Sequence, residues 1–139
     1  MSYFLEAVVG KRDEIRKNFT AEEALIIELP YEFLMIPLKN DLLERVNIRV
    51  DDDFELNIIN WLSSKSKHSI FAFITAEFFG GSGGQIAKLF SNGKIIKEFS
   101  FDSNAINNIL ELLGLERSVA HDQFDMLQLS RFRNTEDWQ

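Results

Sequence analysis

"SIFAFITAEFFGGSGGQIAKLFSNGKIIKEF", residues 69–99, decides how this chain folds. Residues 69–79 are apolar on both alternating faces, the pattern of a strand covered on each side and therefore central in its sheet. Two shorter apolar runs follow, "QIAKLF" (85–90) and "KIIKEF" (94–99), separated by Ser91-Asn92-Gly93-Lys94. Asn-Gly between two strands signals a hairpin, because both central residues of the tight turn need positive φ. The stretch predicts three antiparallel strands in succession.

Upstream, "YFLEAVV" (3–9) reads as a strand ended by Gly10, and "KRDEIRKNF" as a short charged helix. "ALIIELPYEFLMIPL" (24–38) reads as two strands joined at Leu29-Pro30-Tyr31-Glu32. Pro30 suits the second position of a tight turn. Pro37 cannot donate to a ladder and marks an edge or a strand end. Asn40 is placed to cap a brief helix through Val46. In "DDDFELNIINWLSSKSK" (51–67), Phe54, Ile58, Trp61 and Leu62 fall on one helical face, with Asp52 and Glu55 spaced as a capping box. Calcium is the sharper reading of the three aspartates, but the spacing lacks the EF-hand order and its glycine.

Downstream, Ile106, Ile109, Leu110 and Leu113 form a helical stripe that Gly114 terminates. "VAHDQFDMLQL" (119–129) reads as another helix. In the tail, Thr135 is placed to cap a last turn and Trp138 to pack it down. The element order predicts one α+β domain over residues 1–139. Its expected form is a mainly antiparallel sheet of five to six strands with helices packed on one face.

The chain has 139 residues, of which 45% are hydrophobic and 27% charged, the composition of a globular domain with its own core. Lysine and arginine number 15 against 22 acidic residues, a net charge of −7. That balance argues against nucleic-acid binding, which needs a basic stripe for the phosphates. It suits a basic protein partner, although solubility alone also explains it. Without cysteine, disulfides, iron–sulfur clusters and thiol catalysis are excluded. No apolar run approaches the ~18 residues a membrane span needs, and the first residues lack a signal-peptide pattern. The expectation is a cytoplasmic protein that binds neither membrane nor cofactor.

"GGSGGQ" (80–85) invites comparison with phosphate-binding loops. No Lys-Ser/Thr follows, the spacing is not Gly-x-Gly-x-x-Gly, and the next segment reads as a strand, so the helix dipole is missing. A mobile five-residue connection is the plain reading. A backbone so bare also lets a partner or ligand come close, and could act as a lid.

Pairing Phe79 with Gln85 would set Glu77 opposite Ala87, and a two-residue Asn-Gly turn would set Ala87 opposite Glu98. Glu77, Phe79, Gln85, Ala87, Leu89, Ile96 and Glu98 would then share one face with Phe71, Phe73 and Thr75. Two carboxylates would flank a small residue two strand spacings, roughly 9.6 Å, apart. Such a pair suits acid–base chemistry or ligand reading. The structural alternative pairs each glutamate with water or with Arg131 or Arg133, since charges near an apolar sheet end need partners. His68 and His121 lack neighbours at a telling spacing and read as solvated surface.

"AEFFGGSGGQ", the Asn-Gly hairpin, "ILELLG", "DQFDMLQLSRFR" and "TEDW" together resemble a family of small uncharacterised bacterial proteins. That family has a Glu-aromatic-Phe-Gly-Gly strand end followed by Gln, and an Arg-x-Arg-x-Thr-Glu-x-Trp tail. The resemblance spans residues 76–138 and carries no activity. It implies that Glu77, Gly80, Gly81, Gly83, Gln85, Arg131, Arg133 and Trp138 belong to one feature.

Three functions remain in view. One is a non-enzymatic domain that binds a basic protein, with an immunity-type protein covering a toxin's basic site as its concrete form. That rests on class resemblance alone. Another is a small-molecule binder or hydrolase-like enzyme built on Glu77, Gln85 and Glu98 beside the glycine loop, with Arg131 or Arg133 nearby. The third is a homo-oligomer formed through an exposed edge after Pro37 or through the glycine hairpin.

Overall fold

In the computed structural model, which describes residues 2–49, 51–79, 82–100 and 102–139, residues 69–99 do form three successive antiparallel strands. The chain runs β1 (Ser2–Lys11), α1 (Arg12–Asn18), β2 (Ile27–Leu29), a 3-10 turn (Pro30–Glu32) and β3 (Phe33–Pro37). It continues through α2 (Asn40–Arg45), α3 (Phe54–Lys65), β4 (Ile70–Phe79), β5 (Ser82–Ser91) and β6 (Lys94–Ser100). It ends with α4 (Ala105–Leu112), α5 (Gln123–Met126) and a second 3-10 turn (Thr135–Asp137). The six strands make one sheet in the order β2-β3-β1-β4-β5-β6, and every neighbouring pair is antiparallel. The fold is α+β. Among the described residues no helix is long and apolar enough to cross a membrane.

β4 sits between β1 and β5, as its two apolar faces require. Ala72, Ile74 and Ala76 point to one side, where Leu5, Ala7, Val9, Ala87 and Leu89 join them against α4 and the tail. Phe71 and Phe73 point to the other, packed with Val8, Leu34, Ile36 and Phe90 against Ile15 of α1, Leu42 and Leu43 of α2, and Ile58 and Leu62 of α3. The helices therefore cover both faces rather than one. Two apolar sheet faces each need a cover, and one helical layer cannot supply both.

Several local boundaries differ from the sequence reading by a residue or more. Lys39, not Asn40, holds the cap position of α2, and Asp53 rather than Asp52 that of α3; neither helix has a side-chain cap. α5 is a single turn, started by the Asp122 carboxylate accepting the Asp125 N–H at 3.0 Å. Asn134 caps the last turn by accepting the Glu136 N–H at 3.0 Å. Thr135 has a different role. Its Oγ1 accepts the Glu6 N–H at 3.0 Å and donates to the Phe4 carbonyl at 3.3 Å.

β3 pairs with β1 only from Ala7 onward. Below that point the tail takes over, bridging Asn134 to Phe4, whose N–H donates to the Arg133 carbonyl at 2.8 Å. Tyr3 adds a hydrogen bond from its hydroxyl to the Leu129 carbonyl at 2.6 Å, and burial pushes its pKa up. Trp138 completes the layer, buried beneath Phe132 at 4.9 Å between ring centres. Trp138 does pack the tail down.

Both hairpin registers depart from the sequence reading. Phe79 pairs with Ser82, Glu77 with Gly84 and Ala76 with Gln85. Gly83 and Gly84 are thus strand residues in the ladder, not parts of a five-residue loop or lid; Gly80 and Gly81 lie outside the described residues. A Cβ on Gly83 would collide with the Glu77 carbonyl oxygen, so a glycine stands there for backbone approach rather than for mobility. The Asn92-Gly93 turn has the expected two residues, with φ of 50° and 85°. A bulge then shifts the ladder between Leu89 and Phe90, leaving Ile96 as the extra residue. Beyond it, Ala87 faces Phe99, and Lys88 faces Glu98.

Candidate functional site

These registers sort the candidate residues onto two faces of the sheet. Gln85 belongs to the α4 side, buried, where its Oε1 accepts the Ile106 N–H at 2.9 Å in the first turn of α4. It satisfies a helix-start donor that would otherwise be orphaned. Glu77 and Glu98 lie on the α3 side with Phe71, Phe73 and Thr75, as expected, but Gln85, Ala87 and Leu89 do not. The shift in pairing is odd-numbered, and an odd shift turns side chains to the opposite face. Glu77 is level with Gly84 and Glu98 with Lys88, four residues along β5, which is roughly 13 Å at the strand rise. The two carboxylates do not flank Ala87.

The tail residues also separate. Arg131 lies over the Trp138 ring at 5.9 Å, and its Nη2 donates to the Gln128 side chain at 2.7 Å. Arg133 docks through its carbonyl on Phe4. Trp138 Nε1 is buried without an acceptor among the described residues. Phe79 enters as backbone paired with Ser82. Glu77 is exposed on the far side of the sheet from Trp138 and Gln85. His68 and His121 are exposed, and no metal-binding cluster occurs among the described residues.

The cation that meets Glu98 is Lys88. Its ammonium lies 3.2 Å from Glu98 Oε1 and 2.7 Å from Glu55 Oε1, with the side chain only 6% exposed. Burial alone would push its pKa down. Hydrogen bonds and charge attraction from Glu55 and Glu98 outweigh that and hold it above the usual lysine value. An unpaired ammonium at this depth would be costly, so the pair of glutamates is what permits a lysine inside "QIAKLF".

Beside this triad is a carboxyl with no such partner. Glu6 of β1 is the cross-strand neighbour of Thr75 and shares the α3 face with it. It opens into a groove of about 230 Å³ walled by Phe54, Ile58, Phe73 and Ile86, with Lys88 and Glu55 also in its lining. On its other side a recess of about 540 Å³ runs past Leu38 and Asn40 to Asn134 and Glu136. No described residue hydrogen-bonds or ion-pairs the Glu6 carboxylate, and burial pushes its pKa up to about 7.

The surroundings add negative charge. Asp51, Asp52 and Asp53 are exposed and lead directly into Phe54, and Glu55, Glu77 and Glu136 are exposed as well. The sequence reading missed Glu6 and Lys88. Glu6 is the one charged residue inside "YFLEAVV", and an isolated charge in an apolar strand was the signal available. Compared with protein-family models, curated proteins and solved structures, the chain shows no match.

Proposed function

We propose that the protein is a non-enzymatic binding domain of the bacterial cytoplasm that engages a basic protein partner at the acidic end of its α3 face. One observation carries this reading. Lys88, the cation of the groove, is already neutralised by two glutamates, while Glu77 and the aspartates before Phe54 bring further negative charge to the same end. Complementary charge of this kind speeds encounter and fixes orientation. Its concrete form is an immunity-type protein that covers the basic site of a toxin.

The test is binding of a fluorescent oligolysine peptide to the folded protein, with an oligoglutamate peptide as control. Asp52→Lys/Asp53→Lys should weaken oligolysine binding at least fivefold. Glu111→Lys/Glu116→Lys changes net charge equally on the opposite side and should weaken it less than twofold. Equal losses in the two variants would mean that bulk charge alone attracts the peptide, and the reading would fall.

A further inference from the structure

We propose that the groove between Phe54 and Thr75 is a receptor for one lysine or arginine side chain of a protein partner, with the Glu6 carboxylate as its counter-ion. This rests on the basic-partner reading above and names the group that reading would insert.

The chemistry of the walls selects the ligand. Phe54, Ile58, Phe73 and Ile86 offer apolar surface along the groove, and the Glu6 carboxyl lies within it beside Thr75. A long basic side chain matches both parts, because its methylene stem covers apolar surface while its head meets a charge. A wholly apolar side chain would leave the carboxyl desolvated and unpaired. A divalent cation needs six or more oxygen ligands for calcium, or near-octahedral geometry for magnesium, and no acidic cluster of that kind occurs among the described residues. An anion would meet the wrong charge.

The protein carries its own example of the interaction. Lys88 reaches along this same sheet face and ends between Glu55 and Glu98 at 2.7 and 3.2 Å. One lysine already fits the local pattern of apolar wall and carboxylate, held from within the chain. Glu6, two strands away across β4 and lining the same groove, presents a second carboxylate beside apolar wall. Thr75 supplies a hydroxyl beside it that can accept a second hydrogen bond from an ammonium or guanidinium.

The experiment uses amide NMR titration of the full chain with the capped peptide Gly-Gly-Lys-Gly-Gly. Its arginine and norleucine counterparts and free butylamine are titrated in parallel. The proposal expects the lysine and arginine peptides and butylamine to shift the amides of Glu6, Phe54, Thr75 and Ile86, with norleucine at least tenfold weaker. Glu6→Gln should lose this binding by about tenfold while keeping a native spectrum.

Norleucine binding as tightly as lysine would overturn the proposal, since the groove would then be reading only an apolar stem. Butylamine leaving these amides unmoved where the lysine peptide shifts them would also overturn it, since the side chain would then not be what the groove reads. Unchanged binding in Glu6→Gln would overturn it as well. If Asp52→Lys/Asp53→Lys still weakens oligolysine in that last case, the basic-partner reading survives without the receptor. Loss of neither signal would remove both.

Discussion

Thr135 Oγ1 accepts the Glu6 N–H at 3.0 Å, so the residue that pins the tail also fixes the strand position of the groove carboxyl. The same oxygen donates onward to the Phe4 carbonyl at 3.3 Å. Thr135→Val keeps the shape and removes both bonds, leaving a half-buried donor and acceptor. It should cost about 1–3 kcal/mol in urea unfolding. Asn134→Ala removes only the cap and should cost about 1 kcal/mol. A smaller loss for Thr135→Val than for Asn134→Ala would show that the tail is not held through this hydroxyl.

Glu6 predicts a pH dependence of stability. Its folded pKa of about 7 lies above the ordinary 4.5, so the folded state binds the proton more tightly than the unfolded chain. Stability should therefore be greatest below pH 4.5 for this group and fall as pH rises toward 7, by up to about 3 kcal/mol. The groups facing it are Thr75 from β4, Lys88 from β5, Glu55 from α3, Asn40 from α2, and Asn134, Thr135 and Glu136 from the tail. Glu6→Gln should remove this slope and be the more stable protein at pH 8. Denaturant melts of both proteins from pH 4 to 8 measure it; parallel curves would refute the assignment.

Lys88 and its two glutamates predict an asymmetry. Glu55→Ala/Glu98→Ala leaves a buried ammonium without a counter-ion and should cost about 3–5 kcal/mol. Lys88→Met leaves two carboxylates whose side chains are 71% and 50% exposed and remain hydrated. That change should cost much less, about 1 kcal/mol or below. Thermal denaturation of both variants decides the order.

Gly83 and Gly84 are adjacent glycines with opposite tolerance. Gly83→Ala drives a methyl into the Glu77 carbonyl, whereas a Cβ on Gly84 meets nothing within 4 Å. Gly83→Ala should destabilise by about 2 kcal/mol or more. Gly84→Ala should be neutral, or stabilise by up to about 1 kcal/mol through the unfolded chain. Similar melting temperatures for the two would contradict the pairing of Phe78 with Gly83.

Trp138 is 1% exposed and seals the α4 face against the tail. Trp138→Ala should cost about 3–5 kcal/mol, measured by urea unfolding. Trp138→Phe keeps most of the packing, and the indole N–H has no acceptor among the described residues, so it should cost less than half as much.

The strands, the Asn-Gly turn and the central place of β4 were legible because alternation and turn chemistry are local signals. Apolar residues on both faces of "SIFAFITAEFF" held the further clue that helices must cover each side, and its consequence for α1–α3 went unread. Register was not legible. Glycines at 83 and 84 carry no side chain to mark a face, and nothing in "KIIKEF" announces an extra residue at Ile96. From those two slips followed the misplacement of Gln85 and of the Glu77–Glu98 pair. Glu6 and Lys88 acquire meaning only across strands, since Glu6 meets the groove through β4 and Lys88 its glutamates through α3 and β6.

Ile96 has a last consequence for the molecule as a whole. β6 is one of the two outer strands of the sheet, largely exposed, and carries Lys94 and Lys97 along with its unmatched residue. A seventh strand laid against it would fall out of step halfway along and would meet two ammonium groups. Growth of the sheet by copying this edge is thus discouraged.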